Sequence, residues 1–234
     1  MLGTAYFLRG HFYFELLQRW GGMPWINYPF DPEANFDLPR DSYAVTAQKI
    51  ATTFDSAARY LPLVVDNANF GRPSKMAALA YKAKALMWAA SPFANPLGDK
   101  KLWDDAAKAT GEAIDAAEKS AYYHLVDLSN WHNLFTDVNE EALHEVLFGR
   151  MWSQFFSFGP YYTRPRSVAF ASNTSGIESP TENLAECFPW SNGEPVNPSS
   201  AEYRSQPYSG DGINHTGRDP RFDLTFMYNG HVNP

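Results

Sequence analysis

Two segments in the second half of the chain carry aromatic side chains beside hydrogen-bonding groups. They are residues 152–166 and the loop around Trp190. A sugar ring presents an apolar C–H face and a rim of hydroxyl groups, so its recognition needs an exposed flat aromatic ring with amide, carboxylate or guanidinium partners. Both segments contain these residue types and are candidate sites for such a ligand. The candidate residues are Trp152, Gln154, Phe155, Tyr161, Tyr162, Arg164, Arg166, Trp190 and Asn192.

A structural role for these aromatic loops stays open as the alternative. With 7 Trp, 13 Tyr and 17 Phe, the chain has more aromatic residues than one site uses. Aromatic residues at helical spacing are usually part of the core, and the loop aromatics would then cover the helices or face further segments of the protein. A core position is expected for Tyr6, Phe12, Tyr81, Trp88 and Trp103, and a structural role for Trp25 and Tyr28.

Other reactive groups form no catalytic or metal-binding pattern. Arg72 and Lys75 flank a predicted helix N-terminus, where anions are favoured, but the spacing of a phosphate-binding loop is missing. The six histidines contain no H-E-x-x-H or comparable ligand set. Cys187 stands alone in a Phe-rich segment and is expected to be a buried small hydrophobic residue. We therefore predict no catalytic residue, no cofactor and no metal site.

Two arginines near the C-terminal end of the sequence are expected to be structural. Arg218 and Arg221 flank an Asp-Pro pair at residues 219–220. Asp-Pro favours the start of a turn, and arginine side chains beside an aspartate pair locally. Arg72 and Lys75 are likewise expected to make an ion pair or a carbonyl contact.

A glycoside hydrolase is the main enzymatic alternative, because an aromatic-rich helical fold can hold two carboxylates about 5 to 9.5 Å apart around a glycosidic bond. Carboxylates are present, but no sequence pattern selects a pair. Candidates include Glu140, Glu141, Glu178 and Glu182. A helical-repeat interaction scaffold without a ligand of its own is a further alternative.

Charge and hydropathy exclude two classes of partner. The net charge of −7 repels a phosphate backbone, and no segment clusters Lys and Arg, so a nucleic acid is not expected to bind. The longest helical apolar run, residues 76–90, is interrupted by two lysines and is shorter than the ~20 residues that cross a bilayer. We therefore predict no transmembrane segment in this chain.

Apolar residues at helical spacing predict four helices in the first half. Their predicted ranges are residues 4–20, 43–61, 75–90 and 102–119. Asp41 or Ser42 is suited to cap the second helix, and Ser74 the third. In the fourth, the buried side is expected to hold Trp103, Ala106, Ala107, Ala113, Ile114 and Ala117. The first carries aromatics on more than one face, so neighbours must enclose it.

The alanines of the third and fourth helices predict close helix packing of the tetratricopeptide type, without a strict repeat. Beyond residue 139 the sequence becomes rich in Gly, Pro, Ser and Asn, after a short, partly extended apolar run at 143–148. The predicted fold is therefore mostly α, with tetratricopeptide-like helix hairpins and a loop-rich second half. Residues 1–138 form the helical scaffold, and residues 139–234 pack on it within one structural domain.

Several segments resemble the SusD/RagB family, in that family's order. Residues 71–80 (GRPSKMAALA) look like its GR-x-[ST]-K-x-AA-x-AL segment. Upstream, residues 13–24 are similar to its aromatic helix and GG-x-P turn, and residues 38–40 match the Pro-Arg that precedes its next helix. Downstream, three further segments resemble its Y-x-x-LF and E-x-I-F segments, its PT-x-x-L-x-x-F signature and its DPR motif. They are residues 131–148, 180–188 and 219–222.

This resemblance implies a SusD-like α/α superhelix and a lipoprotein of the Bacteroidetes cell surface, placed as a lid over a TonB-dependent outer-membrane channel. Such a protein binds an oligosaccharide or polysaccharide and delivers it to a SusC-like TonB-dependent transporter by hinge closure, without cleaving a bond. Family members begin with a lipidated cysteine and continue past the DPR motif. The chain is therefore expected to be a fragment, with its lipid anchor upstream.

Overall fold

The computed structural model contains two compact units, Met1–Met151 (unit 1) and Trp152–Pro234 (unit 2). The residues that it describes are 1–29, 31, 33, 37–66, 69–131, 133–136, 142–149, 180–201 and 217–226. The predicted boundary at residues 138/139, which divides a helical part from a loop-rich part, is a division by composition and stays a prediction.

Four long helices form the body of unit 1. They are α1 (Leu2–Trp20), α2 (Tyr43–Tyr60), α3 (Lys75–Ala90) and α4 (Lys100–Ser120). All four were predicted from the apolar spacing, with boundaries within about two residues. Ser42 caps α2 and Ser74 caps α3, each by accepting a backbone N–H three residues on, as expected of N-cap serines. Asp99 caps α4, which begins two residues earlier than predicted.

Each long helix packs mainly on its neighbours in the sequence. α2 lies against α1 and α3, and α3 also lies against α4. Small residues line these contacts, so the helix backbones approach closely. The fully buried alanines among them are Ala47, Ala57, Ala77, Ala78, Ala85 and Ala90. On α1, a Cβ added at Gly10 would lie 3.0 Å from the Phe54 ring, so glycine permits the contact between α1 and α2.

Aromatic rings fill the space beside the small residues. Phe7 of α1 is fully buried, and its ring meets those of Phe54, Tyr81 and Phe148 at centroid distances of 5.5, 5.5 and 4.8 Å. All three contacts are edge-to-face, the arrangement that the ring quadrupole favours. The cluster joins α1, α2 and α3 to the segment that ends in Phe148.

The GG-x-P turn after α1 packs against the Pro-Arg segment before α2. Arg40 donates to the carbonyl oxygens of Gly22, at 2.7 Å, and of Trp20, and thereby satisfies carbonyls at the C-terminal end of α1. The backbone N–H of Met23 donates to Thr46 Oγ1 at 3.1 Å. A Cβ built on Gly22 would overlap the carbonyl oxygen of Asp41, so the turn requires glycine here.

Lys82 connects three helices. Its Nζ lies 2.9 Å from Asp55 Oδ1 of α2 and 3.0 Å from Glu112 Oε2 of α4, and its side chain is 16% exposed. Burial alone would lower the pKa of Lys82, but the hydrogen bonds to the two carboxylates outweigh it and raise the pKa. The ammonium group therefore stays charged and fixes the register of α3 between its two neighbours.

Three of the aromatic residues expected in the core are exposed. Tyr6 and Tyr81 pack against the core as predicted, whereas Phe12, Trp88 and Trp103 are 61%, 36% and 46% exposed. Helical spacing identifies apolar faces, but α1 and α4 carry apolar residues over more of their circumference than the described neighbours cover.

The predicted buried side of α4 is wrong for three of its six residues, for the same reason. Ala106 and Ala113 are buried and Ala117 is half-buried, whereas Ala107 and Ile114 are exposed together with Trp103. The buried stripe also includes Ala109, which the prediction omitted. α3 covers one side of a broad apolar stripe, and Trp103, Ala107 and Ile114 lie on the other.

The predicted extended run at 143–148 is helical in its first part. Two short helices follow α4, namely α5 (Asn133–Thr136) and α6 (Ala142–Glu145). A hydrogen bond from Val126 N–H to Glu145 Oε2, at 2.7 Å, ties α6 to the segment after α4. Leu147 and Phe148 then pack against the core of unit 1. The apolar run at 143–148 is too short for its spacing to distinguish a helical turn from a strand.

The described part of unit 2 consists of two short helices and their connections. α7 (Glu182–Glu186) is capped by Thr181, and α8 (Pro220–Thr225) is capped by Asp219. Ala185, Phe222 and Phe226 are buried together, with Phe188 packed against them. Within the described residues the only strand-like pairing is an isolated antiparallel bridge between Trp190 and Arg218. Cys187, expected to be buried, is exposed, because the phenylalanines around it fill the small core instead.

Replacing Gly22 by alanine is expected to lower the free energy of unfolding by at least about 2 kcal/mol, because the added Cβ must displace the backbone at Asp41. Gly111→Ala is the matched control. Gly111 lies in α4 with open space around its Cβ position, so alanine should raise the free energy of unfolding by about 0.5–1 kcal/mol. Urea denaturation measures both, and equal effects would contradict the backbone contact at Gly22.

Ala85→Leu is expected to destabilise the protein by about 1–3 kcal/mol, because Ala85 is fully buried between helices and a larger side chain forces them apart. Ala107→Leu makes the same change on the exposed side of α4 and should stay within about 0.5 kcal/mol of wild type. Thermal unfolding of both variants tests the prediction. Tolerance of leucine at position 85 would show that close helix approach is not required.

Candidate glycan-binding site

Two of the nine predicted site residues, Trp190 and Asn192, lie in the described part of the chain. The other seven lie outside the described residues, and their assignment stays a prediction. They are Trp152, Gln154, Phe155, Tyr161, Tyr162, Arg164 and Arg166. The structure therefore defines the surroundings of the Trp190 loop alone.

Backbone hydrogen bonds hold Trp190 at the start of a tight turn. Its N–H donates to the Glu194 carbonyl at 2.9 Å, and its own carbonyl accepts from Gly193 N–H at 2.8 Å. On the other side, the Ser191 N–H donates to Gly217 O at 2.6 Å, within the bridge that pairs this strand-like stretch with Arg218. Hydrogen bonds on both sides therefore fix the backbone at Trp190, and this residue is half-buried.

Arg218 contacts the Trp190 ring and connects it to both short helices of unit 2. Its Nη2 donates to the carbonyl oxygens of Ala185 and Phe188, at 2.6 and 2.9 Å. The guanidinium carbon lies 5.5 Å from the Trp190 ring centroid and 4.5 Å from that of Phe222, within the range of cation–π attraction. Arg218 has the structural role that was expected, but the carbonyls that it contacts are 33 and 30 residues away in the sequence, so these contacts are not the local pairing that was predicted.

Asn192 supplies polar groups in the same turn, two residues after Trp190. Its Oδ1 accepts the Glu194 N–H at 3.0 Å, which stabilises the turn, and the side chain is exposed. Because the carboxamide oxygen faces the turn, its NH2 group is the end that can donate to a ligand. A half-buried indole and an exposed amide donor in one turn are groups that can stack on a sugar ring and bind its hydroxyl groups.

Asp219 and Arg221 form a local pair, as was expected of these residues. The Asp219 carboxylate accepts from the Arg221 backbone N–H at 2.9 Å and from Arg221 Nε at 2.9 Å, and it also contacts Nη2. The hydrogen bond from the Arg221 side chain lowers the pKa of Asp219 to about 2. The sequence interpretation of Asp-Pro as a turn missed that Asp219 is a helix cap, although proline at the first helical position signals such a cap.

Trp25 has the structural role that was expected. Its ring lies 4.2 Å from that of Tyr13, the Arg9 guanidinium lies 4.9 Å from its centroid, and it packs against the core of unit 1. Tyr28, in contrast, is 54% exposed. Among the described residues, no group of three or more His, Cys, Asp or Glu side chains is arranged to hold a metal ion.

The helices of unit 1 define a class of mostly α proteins in which alanine-lined helix hairpins pack in sequence order. Comparisons with known proteins find similar chains of this class. Residues 1–87 match the model of a SusD-like family described as starch-binding and associating with the outer membrane. A solved SusD-like protein of Bacteroides fragilis is 22% identical, with a TM-score of 0.68 over 94% of this chain. A SusD-like carbohydrate binding protein of the same species is also 22% identical, with a TM-score of 0.72 over 98% of this chain.

The match over residues 1–87 agrees with the motifs, which resemble the SusD-like family, and the prediction of a mostly α, SusD-like fold is confirmed. The chain spans 41% and 40% of the length of the two solved structures. A comparison with curated proteins gives no match.

The carboxyl group of Asp219 is expected to titrate with a pKa of about 2, because its ionised form is held by Arg221. This pKa is below the ordinary value near 3.9 for an aspartate. The contribution of the Asp219–Arg221 pair to the stability of unit 2 is therefore complete above about pH 4 and is lost as the pH falls through about 2. Arg221→Gln should raise the pKa, and Leu224→Gln, an exposed change in the same helix, should not. Carboxyl ¹³C NMR measures the midpoint, and a wild-type midpoint near 3.9 would contradict the pairing.

Proposed function

We propose that this protein captures an oligosaccharide or polysaccharide at the bacterial cell surface and binds it reversibly. The observation that carries the proposal is the Trp190 loop, where the bridge to Arg218 holds Trp190 and the same turn carries the exposed amide of Asn192. The family description as starch-binding, and the carbohydrate-binding relative of similar fold, support a glycan as the ligand.

The segment 152–166 is the second part of the proposed site. It combines six aromatic residues, four of them candidate site residues, with Gln154, Arg164 and Arg166, which offers the same ring-and-donor chemistry as the Trp190 loop. Stacking and water-mediated hydrogen bonds typically give dissociation constants of roughly micromolar to millimolar. Modest affinity suits a protein that must release the glycan after capture.

Delivery to a SusC-like TonB-dependent transporter is part of the proposal, together with an outer-membrane location through a lipid anchor. The family description of association with the outer membrane supports this location. None of the helices in the described ranges combines the length and apolar composition that a bilayer crossing requires. The proposed location therefore depends on the anchor and on the transporter.

We propose binding without bond cleavage, because stacking and amide donors are the chemistry that the Trp190 loop offers. An interaction scaffold is the second candidate function. The observation that favours it is the exposure of large apolar side chains on α1 and α4, among them Phe12, Trp103 and Ile114.

Calorimetric titration with a panel of oligosaccharides tests the proposal. Trp190→Ala and Trp152→Ala are each compared with wild type, and loss of the stacking contact should weaken binding by about 1–2 kcal/mol, or about 5- to 30-fold in Kd. Trp103→Ala is the control, since this tryptophan is exposed on α4 and lies outside both loops. Reducing-sugar release is assayed in the same samples.

Asn192→Asp separates loss of binding from loss of fold. Aspartate keeps the oxygen that accepts the Glu194 N–H but lacks the amide donor, so binding should weaken while thermal unfolding stays unchanged. Sugar release by the wild type would make the protein a hydrolase. Absence of binding across the panel would favour the scaffold.

A further inference from the structure

Two histidines that the proposed function does not use meet in unit 1. His124 lies in the segment after α4, and His144 lies in α6. Their imidazole rings are stacked, with centroids 4.6 Å apart and planes 26° from parallel. His124 is exposed and His144 is half-buried, so the pair is accessible from solvent.

One backbone carbonyl determines the tautomer of both neutral rings. The Nδ1 atoms of His124 and His144 lie 3.2 and 2.7 Å from the carbonyl oxygen of Tyr122. A carbonyl oxygen can only accept, so each Nδ1 must carry its proton and donate. In the neutral rings, both Nε2 atoms then keep the lone pair that a metal ion binds.

The two chain segments that carry these rings are joined by further contacts. The His124 N–H donates to the His144 carbonyl at 3.2 Å, and the Val126 N–H donates to Glu145 Oε2 at 2.7 Å. The Tyr122 ring packs against the His144 ring with centroids 4.6 Å apart. The imidazoles are therefore positioned by the fold, unlike independent surface side chains.

We infer that His124 and His144 form a binding site for a late first-row divalent transition-metal ion such as Zn²⁺. A ligand histidine usually donates its other N–H to a backbone carbonyl or a carboxylate, which orients the ring, and here the Tyr122 carbonyl does so for both. Imidazole nitrogen suits Zn²⁺, Cu²⁺ and Ni²⁺, whereas Mg²⁺ and Ca²⁺ prefer oxygen.

Binding requires a small movement of the rings. A metal ion bonds each Nε2 at about 2.0–2.1 Å, so two rings stacked at 4.6 Å must tilt toward the ion. His124 is exposed and can make this rotation. Water completes the coordination shell, so the site is weaker than four-ligand structural zinc sites, with a Kd on the order of micromolar or weaker.

A metal site at His124 and His144 departs from the prediction of no metal site among the histidines. That prediction looked for ligands at the fixed spacing of a helical motif, such as H-E-x-x-H. His124 and His144 are far apart in the sequence and are brought together by the contact between α6 and the segment after α4.

Titration of the full chain with ZnCl2, followed by calorimetry, tests the site. One Zn²⁺ should bind, and His124→Phe or His144→Phe should weaken binding by at least about ten-fold. Removal of a residue that only hydrogen-bonds to a metal ligand already causes a loss of this size. Phenylalanine keeps a flat ring in the stack, so the fold is retained while the nitrogen is removed. His231→Ala is the control for unspecific histidine binding and should leave the affinity unchanged, and Mg²⁺ should not bind.

Imidazole ¹⁵N NMR of the wild-type protein gives an independent test, which does not depend on whether a variant folds. Both rings should be Nδ1–H tautomers without metal, and Zn²⁺ should shift both Nε2 resonances together. An Nε2–H tautomer in either ring would overturn the inference. Zn²⁺ binding that the phenylalanine variants do not weaken, or an absence of binding, would overturn it as well.

Discussion

Close contact between helix backbones is the constraint on which unit 1 depends. Alanine and glycine at the contacts allow helix axes to approach to the short end of the usual 8–10 Å range. The aromatic rings of Phe7, Phe54 and Tyr81 fit only when this spacing is kept, because they fill the gaps beside the small residues. Larger side chains at the contacts would separate the helices and open these gaps.

Polar contacts set the register of the helices that the small residues bring together. Arg40 satisfies carbonyl groups at the end of α1 that have no partner within the helix. Lys82 lies between two carboxylates, which offset the cost of burying most of its side chain. Both are placed where one helix meets the next, so they specify geometry more than they add free energy. In unit 2, Arg218 has the same role for Trp190.

The sequence predicted the helices well because their signals are local. Apolar spacing and the capping serines Ser42 and Ser74 lie within a few residues of the structure that they determine. The exposure of Trp103 could not be predicted, since periodicity shows that a face is apolar but not whether a neighbour covers it. Residues of the candidate site were recognised by type alone. The support that Arg218 gives to Trp190, and the meeting of His124 with His144, come from tertiary contacts that no local pattern contains.

The contact between Phe7 and Phe148 has a consequence for cooperativity. Helices that pack only on their sequence neighbours behave as a one-dimensional array, in which one end can unfold while the other persists. Phe148 instead returns to the first helix from about 140 residues further along the chain, and forming this contact requires closing the whole intervening loop. The ends of unit 1 are therefore energetically coupled, and the helical array unfolds as a single system instead of fraying from α4.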